Sequence, residues 1–273
     1  MQQQPIGVFD SGYGGLTVLK ELKAKLPQYD YLYLGDNARA PYGTRSFDTV
    51  YQYTLECVKH LFEMNCRLVV LACNTASAKA LRTIQQKDLP KIDSALRVLG
   101  VIRPTTEIVG NITKTNHVGI LGTTGTIASN SYPIEIEKFF PSIKVFQEAC
   151  PMWVPLVENN EFENEGGDYF IKKNIEELMS QSDKIDTVVL GCTHYPLLIE
   201  KIKKYLPSHV NILSQGEIVA DSLKDYLSRH PEIEKTCSKN EQLTFLTTDS
   251  SGNFDEHAAM FFGSSVHSSH LSL

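Results

Sequence analysis

Among the six cysteines of the chain (Cys57, Cys66, Cys73, Cys150, Cys192 and Cys237) there is no C-x-x-C pair. The spacing that marks a zinc ribbon or a thioredoxin-type redox centre is therefore missing. No window reaches the roughly 18 apolar residues of a membrane span. The opening stretch, MQQQPIGVFD, lacks the basic segment and apolar run of a secretory signal. Basic side chains are outnumbered, 26 to 32, giving a formal net charge of −6 with no basic stripe. A general nucleic-acid binder needs the opposite, a clustered excess of Lys and Arg. These absences predict a cytoplasmic protein with reduced thiols and with neither membrane nor nucleic acid as partner. Most of the cysteines are expected to be small buried hydrophobes.

What is present is a globular composition, 42% hydrophobic and 21% charged, on 273 residues, enough for one large or two small domains. Short apolar runs alternate with amphipathic stretches. The pattern predicts strands at 6–10, 31–34, 68–71, 97–100, 117–121, 144–147, 187–190, 211–213 and 243–246. It predicts helices at 15–26, 46–64, 76–86, 105–111, 168–180, 197–205 and 216–228. Strand, turn and helix in repetition is the signature of βαβ units and a mostly parallel sheet, an α/β fold. In such sheets ligands sit beyond the carboxyl ends of the strands.

A weak internal repeat points to two similar lobes. RLVVLACNTASAKAL (67–81) echoes DTVVLGCTHYPLLIE (186–200), and IGVFDSGYGG (6–15) echoes VGILGTTGTIAS (118–129). Pro104 in GVIRPTT and the return at LSQGE suggest where the chain crosses. The expected division is 1–101 plus 213–262 for one lobe and 102–212 for the other. The small, polar GSSVHSSHLSL (263–273) reads as a frayed tail.

The unusual residues fall at the strand ends. FDSGYGG lacks the full spacing of a dinucleotide loop, and a carboxylate at Asp10 would repel a pyrophosphate. Asp10 suits a substrate ammonium or a nearby proton, or else a helix cap. Cys73 and Cys192 each end an apolar strand ahead of a helical pattern, and a helix N-terminus lowers a thiol pKa while burial raises it. His194, two residues beyond Cys192, could move a proton. One thiol with a histidine suits covalent catalysis. Two thiols in mirrored lobes suit inversion of a carbon centre, one removing an α-proton while the other protonates the opposite face. A Cys₂His zinc site from Cys73, Cys192 and His194 is the competing arrangement, and a non-catalytic amino-acid binder is a third. Ser11, Asn74, Thr75, Thr123, Thr126, Thr193 and the Tyr42–Gly43 turn lie at strand-to-helix switches, where hydroxyls and backbone N–H groups hold carboxylates or cap helices. DSSGNFD (249–255) has its glycine too early for a calcium loop and reads as a strand-to-helix turn.

The motifs FDSGYGG, DNARAPYG (36–43), ACNTAS (72–77), GTTGT (122–126) and GCTHYP (191–196) together resemble the glutamate racemases of the cofactor-independent aspartate/glutamate racemase superfamily. The resemblance runs from IGVFDSGYGGLTVLKEL to LTFLTTD. It implies two pseudo-symmetric α/β lobes with the active site in the cleft between them, and Cys73 and Cys192 as the catalytic thiols, acting on the D- and L-isomer respectively. Asp10 and His194 would assist. Ser11, Tyr42, Gly43, Asn74, Thr75, Thr123, Thr126 and Thr193 would hold the carboxylates and ammonium, with Glu158 in VPLVENN lining the pocket. It implies L- and D-glutamate as substrates, no pyridoxal phosphate or metal, a homodimer, and a role in peptidoglycan synthesis. The chain departs from the family pattern at Thr105, where Gly or Ala is commoner, and at Gln215, where many relatives have serine.

Overall fold

A computed structural model describes residues 4–273. The strands form two sheets. The first contains β1 (Ile6–Asp10), β2 (Tyr31–Gly35), β3 (Leu68–Leu71), β4 (Arg97–Gly100), β9 (Leu243–Thr247) and β10 (Ser268–His270), in the order β10-β9-β2-β1-β3-β4. The second contains β5 (His117–Gly122), β6 (Lys144–Ala149), β7 (Thr187–Gly191) and β8 (Asn211–Leu213), in the order β6-β5-β7-β8. Every strand pair is parallel. Each residue of the central strands β1, β3 and β7 is buried. Helices cover both faces of a parallel sheet, so such strands read as unbroken apolar runs.

The chain leaves the first sheet after β4 and returns from β8 to β9. Between them, the crossover helix Ile102–Ile108 begins three residues earlier than expected. Pro104 does not break the chain there. It sits in the first helical turn, where its missing N–H has no intrahelical partner to lose. The helix expected at 76–86 is broken instead, into Asn74–Lys79, Leu81–Thr83, a wide π-turn at Ile84–Asp88 and Leu89–Ile92. Pro90 has no N–H to return to Gln86, so the regular ladder cannot run through.

The segment 263–273 is not a free tail. Ser268–His270 adds to the edge of the first sheet, Ser268 opposite Phe245 and His270 opposite Thr247. The Ser268 N–H donates to Asp255 Oδ1 at 2.9 Å. The unpaired backbone edge of β9 supplies a ladder that the side chains alone do not announce. Among the described residues no helix is long and apolar enough to cross a membrane.

Candidate active site

The carboxyl ends of β1, β2 and β3 from one sheet, and of β5, β6 and β7 from the other, meet at one cavity of about 90 Å³, room for a small molecule. Ser11, Tyr42, Gly43, Cys73, Asn74, Thr75, Thr123, Glu158, Cys192, Thr193 and His194 line it. Asp10 and Thr126 were expected with them and stand behind that lining, both almost fully buried.

On the first-sheet side, β3 ends at Leu71, and Cys73 caps the helix Asn74–Lys79, its sulfur accepting the Ala76 N–H at 3.4 Å. The Ser11 hydroxyl lies 3.5 Å from the same sulfur. Burial pushes the Cys73 thiol up to about 12, and the Asp10 charge adds to it, outweighing the Ser11 and Ala76 contacts that pull the other way. Burial also raises the Asp10 carboxyl, against the opposing pull of His194 and of the Gly15 and Gly12 backbone. Asp10 Oδ2 accepts the Gly12 N–H at 3.0 Å, whereas buried Oδ1 has no partner among the described residues.

On the second-sheet side the same strand-end device is built differently. Cys192 does not cap an α-helix. Four residues after Cys73, Ser77 returns its N–H to the Cys73 carbonyl at 2.9 Å, but four residues after Cys192 stands Pro196, which has no N–H to return. The chain tightens instead, Tyr195 N–H donating to the Cys192 carbonyl at 3.2 Å, and a 3₁₀ turn follows at Tyr195–Leu198. The sulfur faces an imidazole: Cys192 Sγ is 3.9 Å from His194 Nδ1, and His194 Nε2 is 2.9 Å from Glu158 Oε1. Burial alone would lower the His194 pKa, but the Cys192 and Glu158 partners together raise it to about 10. His194 is thus a cation at neutral pH, braced edge-on by Phe261 with ring centroids 5.2 Å apart.

The two sides are pinned together by small residues. Gly14 packs so closely under the second-sheet turn that a Cβ there would lie 2.3 Å from Thr193 Oγ1 and 2.4 Å from His194 Nδ1. Thr17 Oγ1 donates to the Thr193 carbonyl at 3.0 Å. The Thr75 and Thr123 hydroxyls meet at 3.0 Å, and Thr126 backs both at 3.3 and 3.0 Å. The Gly125 N–H donates to the Gly43 carbonyl at 2.7 Å. Tyr42 is held from behind by its hydroxyl on Asp36, which also accepts from Arg39 and Thr248. Among the described residues no three His, Cys, Asp or Glu side chains are grouped to hold a metal ion, so the Cys₂His set is not assembled.

The cavity has further walls that the sequence did not announce: Ala40, Pro41, Thr44, Thr124, Cys150, Pro151, Val154 and Pro155. Cys150 follows the carboxyl end of β6, as Cys73 and Cys192 follow those of β3 and β7. The strand expected at 144–147 runs two residues further, and that extension is what brings Cys150 to the pocket.

Two parallel α/β sheets that each deliver a thiol to one small pocket define a protein equipped for acid–base chemistry on a small substrate. The chain belongs to the Asp/Glu/Hydantoin racemase family, whose model matches residues 15–223. It is 40% identical over 260 residues to a glutamate racemase of Sulfurihydrogenibium sp. (strain YO3AOP1), covering 95% of this chain and 94% of that one. Its structure resembles the crystal structure of glutamate racemase isoform RacE1 from Bacillus anthracis, with a TM-score of 0.90 at 34% identity over 100% of this chain and 99% of that one. It also resembles the glutamate racemase of Francisella tularensis subsp. tularensis SCHU S4, solved in complex with D-glutamate. There the TM-score is 0.86 at 33% identity, over 100% of this chain and 98% of that one.

Proposed function

We propose that this protein is a glutamate racemase that interconverts L- and D-glutamate with two thiols. One observation carries the reading: Cys73 and Cys192, from strand ends of separate sheets, line the same small cavity. From L-glutamate, Cys192 as thiolate takes the α-proton, and the electron pair left on Cα delocalises into the α-carboxylate. Cys73, whose thiol keeps its proton at neutral pH, delivers that proton to the opposite face. The product is D-glutamate, with the charge now on Cys73 and the proton on Cys192. Running the other way, the roles exchange. The His194 cation, oriented by Glu158, steadies negative charge beside Cys192 and can move a proton there. Asp10 tunes charge on the Cys73 side from behind. Ser11, Asn74, Thr75, Thr123, Thr193 and the Tyr42–Gly43 turn hold the two carboxylates and the ammonium, with Thr126 supporting the threonines.

We take the lobes to divide at 101–102 and 212–213, with the cleft between them. The working unit is a homodimer in the cytoplasm, supplying D-glutamate for peptidoglycan. Incubating L-glutamate, and separately L-aspartate, with the protein in D₂O tests reaction and substrate together. Deuterium at Cα with loss of optical rotation for glutamate is the expected result. An unchanged substrate points to a binding protein, and faster turnover of aspartate transfers the activity to that amino acid.

A further inference from the structure

We infer that Gln215 is a positioning residue for Asn74, holding its carboxamide in the one orientation that leaves an N–H for the substrate. The inference rests on the racemase reading above, in which Asn74 helps hold glutamate.

Three buried side chains close a ring of hydrogen bonds. Asn74 Nδ2 donates to Gln215 Oε1 at 2.6 Å, Gln215 Nε2 donates to the Tyr132 oxygen at 2.8 Å, and the Tyr132 hydroxyl donates to Asn74 Oδ1 at 2.8 Å. Asn74, Gln215 and Tyr132 are each at most 4% exposed. Only Asn74 of the three lines the cavity. Its second Nδ2 hydrogen has no acceptor among the described residues.

A carboxamide has nearly the same shape after a half-turn that exchanges its oxygen and nitrogen, so its neighbours must decide which is which. Here the decision starts at the backbone. The Val101 carbonyl can only accept, and it lies 3.0 Å from Gln215 Nε2. Thr105 Oγ1, 3.1 Å from the same nitrogen, has its own proton directed at the Val101 carbonyl. The nitrogen of Gln215 is therefore fixed on that side, its oxygen faces Asn74, and Asn74 must present nitrogen in return. Burial pushes the Tyr132 phenol well above its ordinary value, so it keeps the proton it donates to Asn74 Oδ1. A substrate carboxylate needs a donor, and the flipped Asn74 would offer an acceptor. The relay spans both sheets. Asn74 follows β3, Val101 follows β4, Tyr132 lies beyond β5, and Gln215 begins the helix after β8.

Steady-state kinetics on Gln215→Met and on the isosteric Tyr132→Phe tests this, with the parent chain assayed first. The expected result is a KM for both glutamate enantiomers raised about tenfold, as for loss of one hydrogen bond to a charged group, with kcat within about threefold. Because Gln215 acts through Asn74, adding Gln215→Met to Asn74→Ala should cause no further loss. Either single variant folding with an unchanged KM overturns the inference. So does a Gln215→Met loss that adds in full to that of Asn74→Ala, or an equal KM rise in Thr105→Val, which removes only one of three acceptors. A parent chain that turns over no glutamate overturns the racemase reading and this inference with it. An active parent confines any failure to Gln215.

Discussion

The two thiols occupy equivalent places in the two sheets, yet their surroundings are opposite in kind. Cys73 caps a helix, touches a hydroxyl and stands near a carboxyl, and burial keeps its proton on. Cys192 faces an imidazole that Glu158 and Cys192 itself keep protonated. Two of the positions that differ after the cysteines set this apart: Ser77 continues a helix where Pro196 cannot, and His194 brings an imidazole where the first strand end has Thr75. A repeated strand end thus yields an uncharged thiol on one side and a thiol beside a cation on the other. Enantiomers have equal free energies, so the two directions must share one kcat/KM at every pH. Any difference between the halves has to be sought in partial reactions, in stability or in structure.

The largest effect is expected from removing either sulfur. Cys73→Ser and Cys192→Ser should each lower racemisation by about a thousandfold or more, within the range for loss of a positioned acid or base. The comparison is read from deuterium exchange in D₂O. Cys73→Ser should still wash deuterium into L-glutamate, because Cys192 survives, whereas Cys192→Ser should do so with D-glutamate. Equal exchange from both enantiomers in either variant breaks the assignment of faces.

Glu158→Gln should act chiefly on the Cys192 half, reducing turnover about tenfold to a hundredfold. Exchange from L-glutamate should be hit harder than exchange from D-glutamate. It should also change stability with pH. His194 is held at about 10 against an ordinary 6.5. A raised pKa contributes stability that is complete below pH 6.5 and is lost as the pH rises through about 10. With the carboxylate gone the folded pKa falls, and the loss begins at lower pH. The parent's advantage in melting temperature should therefore be full at about pH 6.5 and shrink as the pH rises through about 10. A constant difference across that window removes His194 as the cause.

Two neighbouring glycines test how the halves are fitted together. Gly14→Ala forces a methyl onto Thr193 and His194 at 2.3–2.4 Å, and overpacking of this kind costs about 1–3 kcal/mol. Gly12→Ala meets nothing closer than 3.7 Å and should stay within about 0.5 kcal/mol of the parent. Thermal melts of the two variants side by side decide it. Equal destabilisation contradicts the close approach at Gly14.

The central strands were legible because central parallel strands are apolar on both faces: β1 and β3 fall where the apolar runs place them, and the edge strands β4 and β8, though only partly buried, do so too. Helices were less so. Those at Ser131–Phe139 and Trp153–Glu158 were not anticipated, their apolar stripes being short or interrupted by Pro133 and Pro155, whereas the strand-to-helix turn read at 249–255 does lead into the helix Ser251–Phe262. The cavity residues that stand in glycine- and cysteine-bearing motifs could be read from their types. The ring through Tyr132 and Gln215 could not, since it joins residues 58 to 141 positions apart. Nor could Cys150, because the sequence marked the strand as ending too soon.

That third strand-end thiol gives the smallest expected effect and the sharpest control on the comparison. Cys150 lines the same cavity, so proximity alone would give it a part in the chemistry. Its surroundings argue otherwise. Its sulfur points at the Glu148 carbonyl at 3.7 Å, an acceptor that favours the uncharged thiol. Burial, with Glu148 and Cys192 nearby, pushes its pKa well above the ordinary value. It has neither the helix cap of Cys73 nor the imidazole of Cys192. Cys150→Ala should keep racemisation within about threefold of the parent and lower stability by about 1 kcal/mol for the lost buried sulfur. Deuterium exchange should stay balanced between the enantiomers. A collapse of turnover comparable to Cys73→Ser would mean that position at a strand end, and not the partner each sulfur is given, decides which thiols do the work.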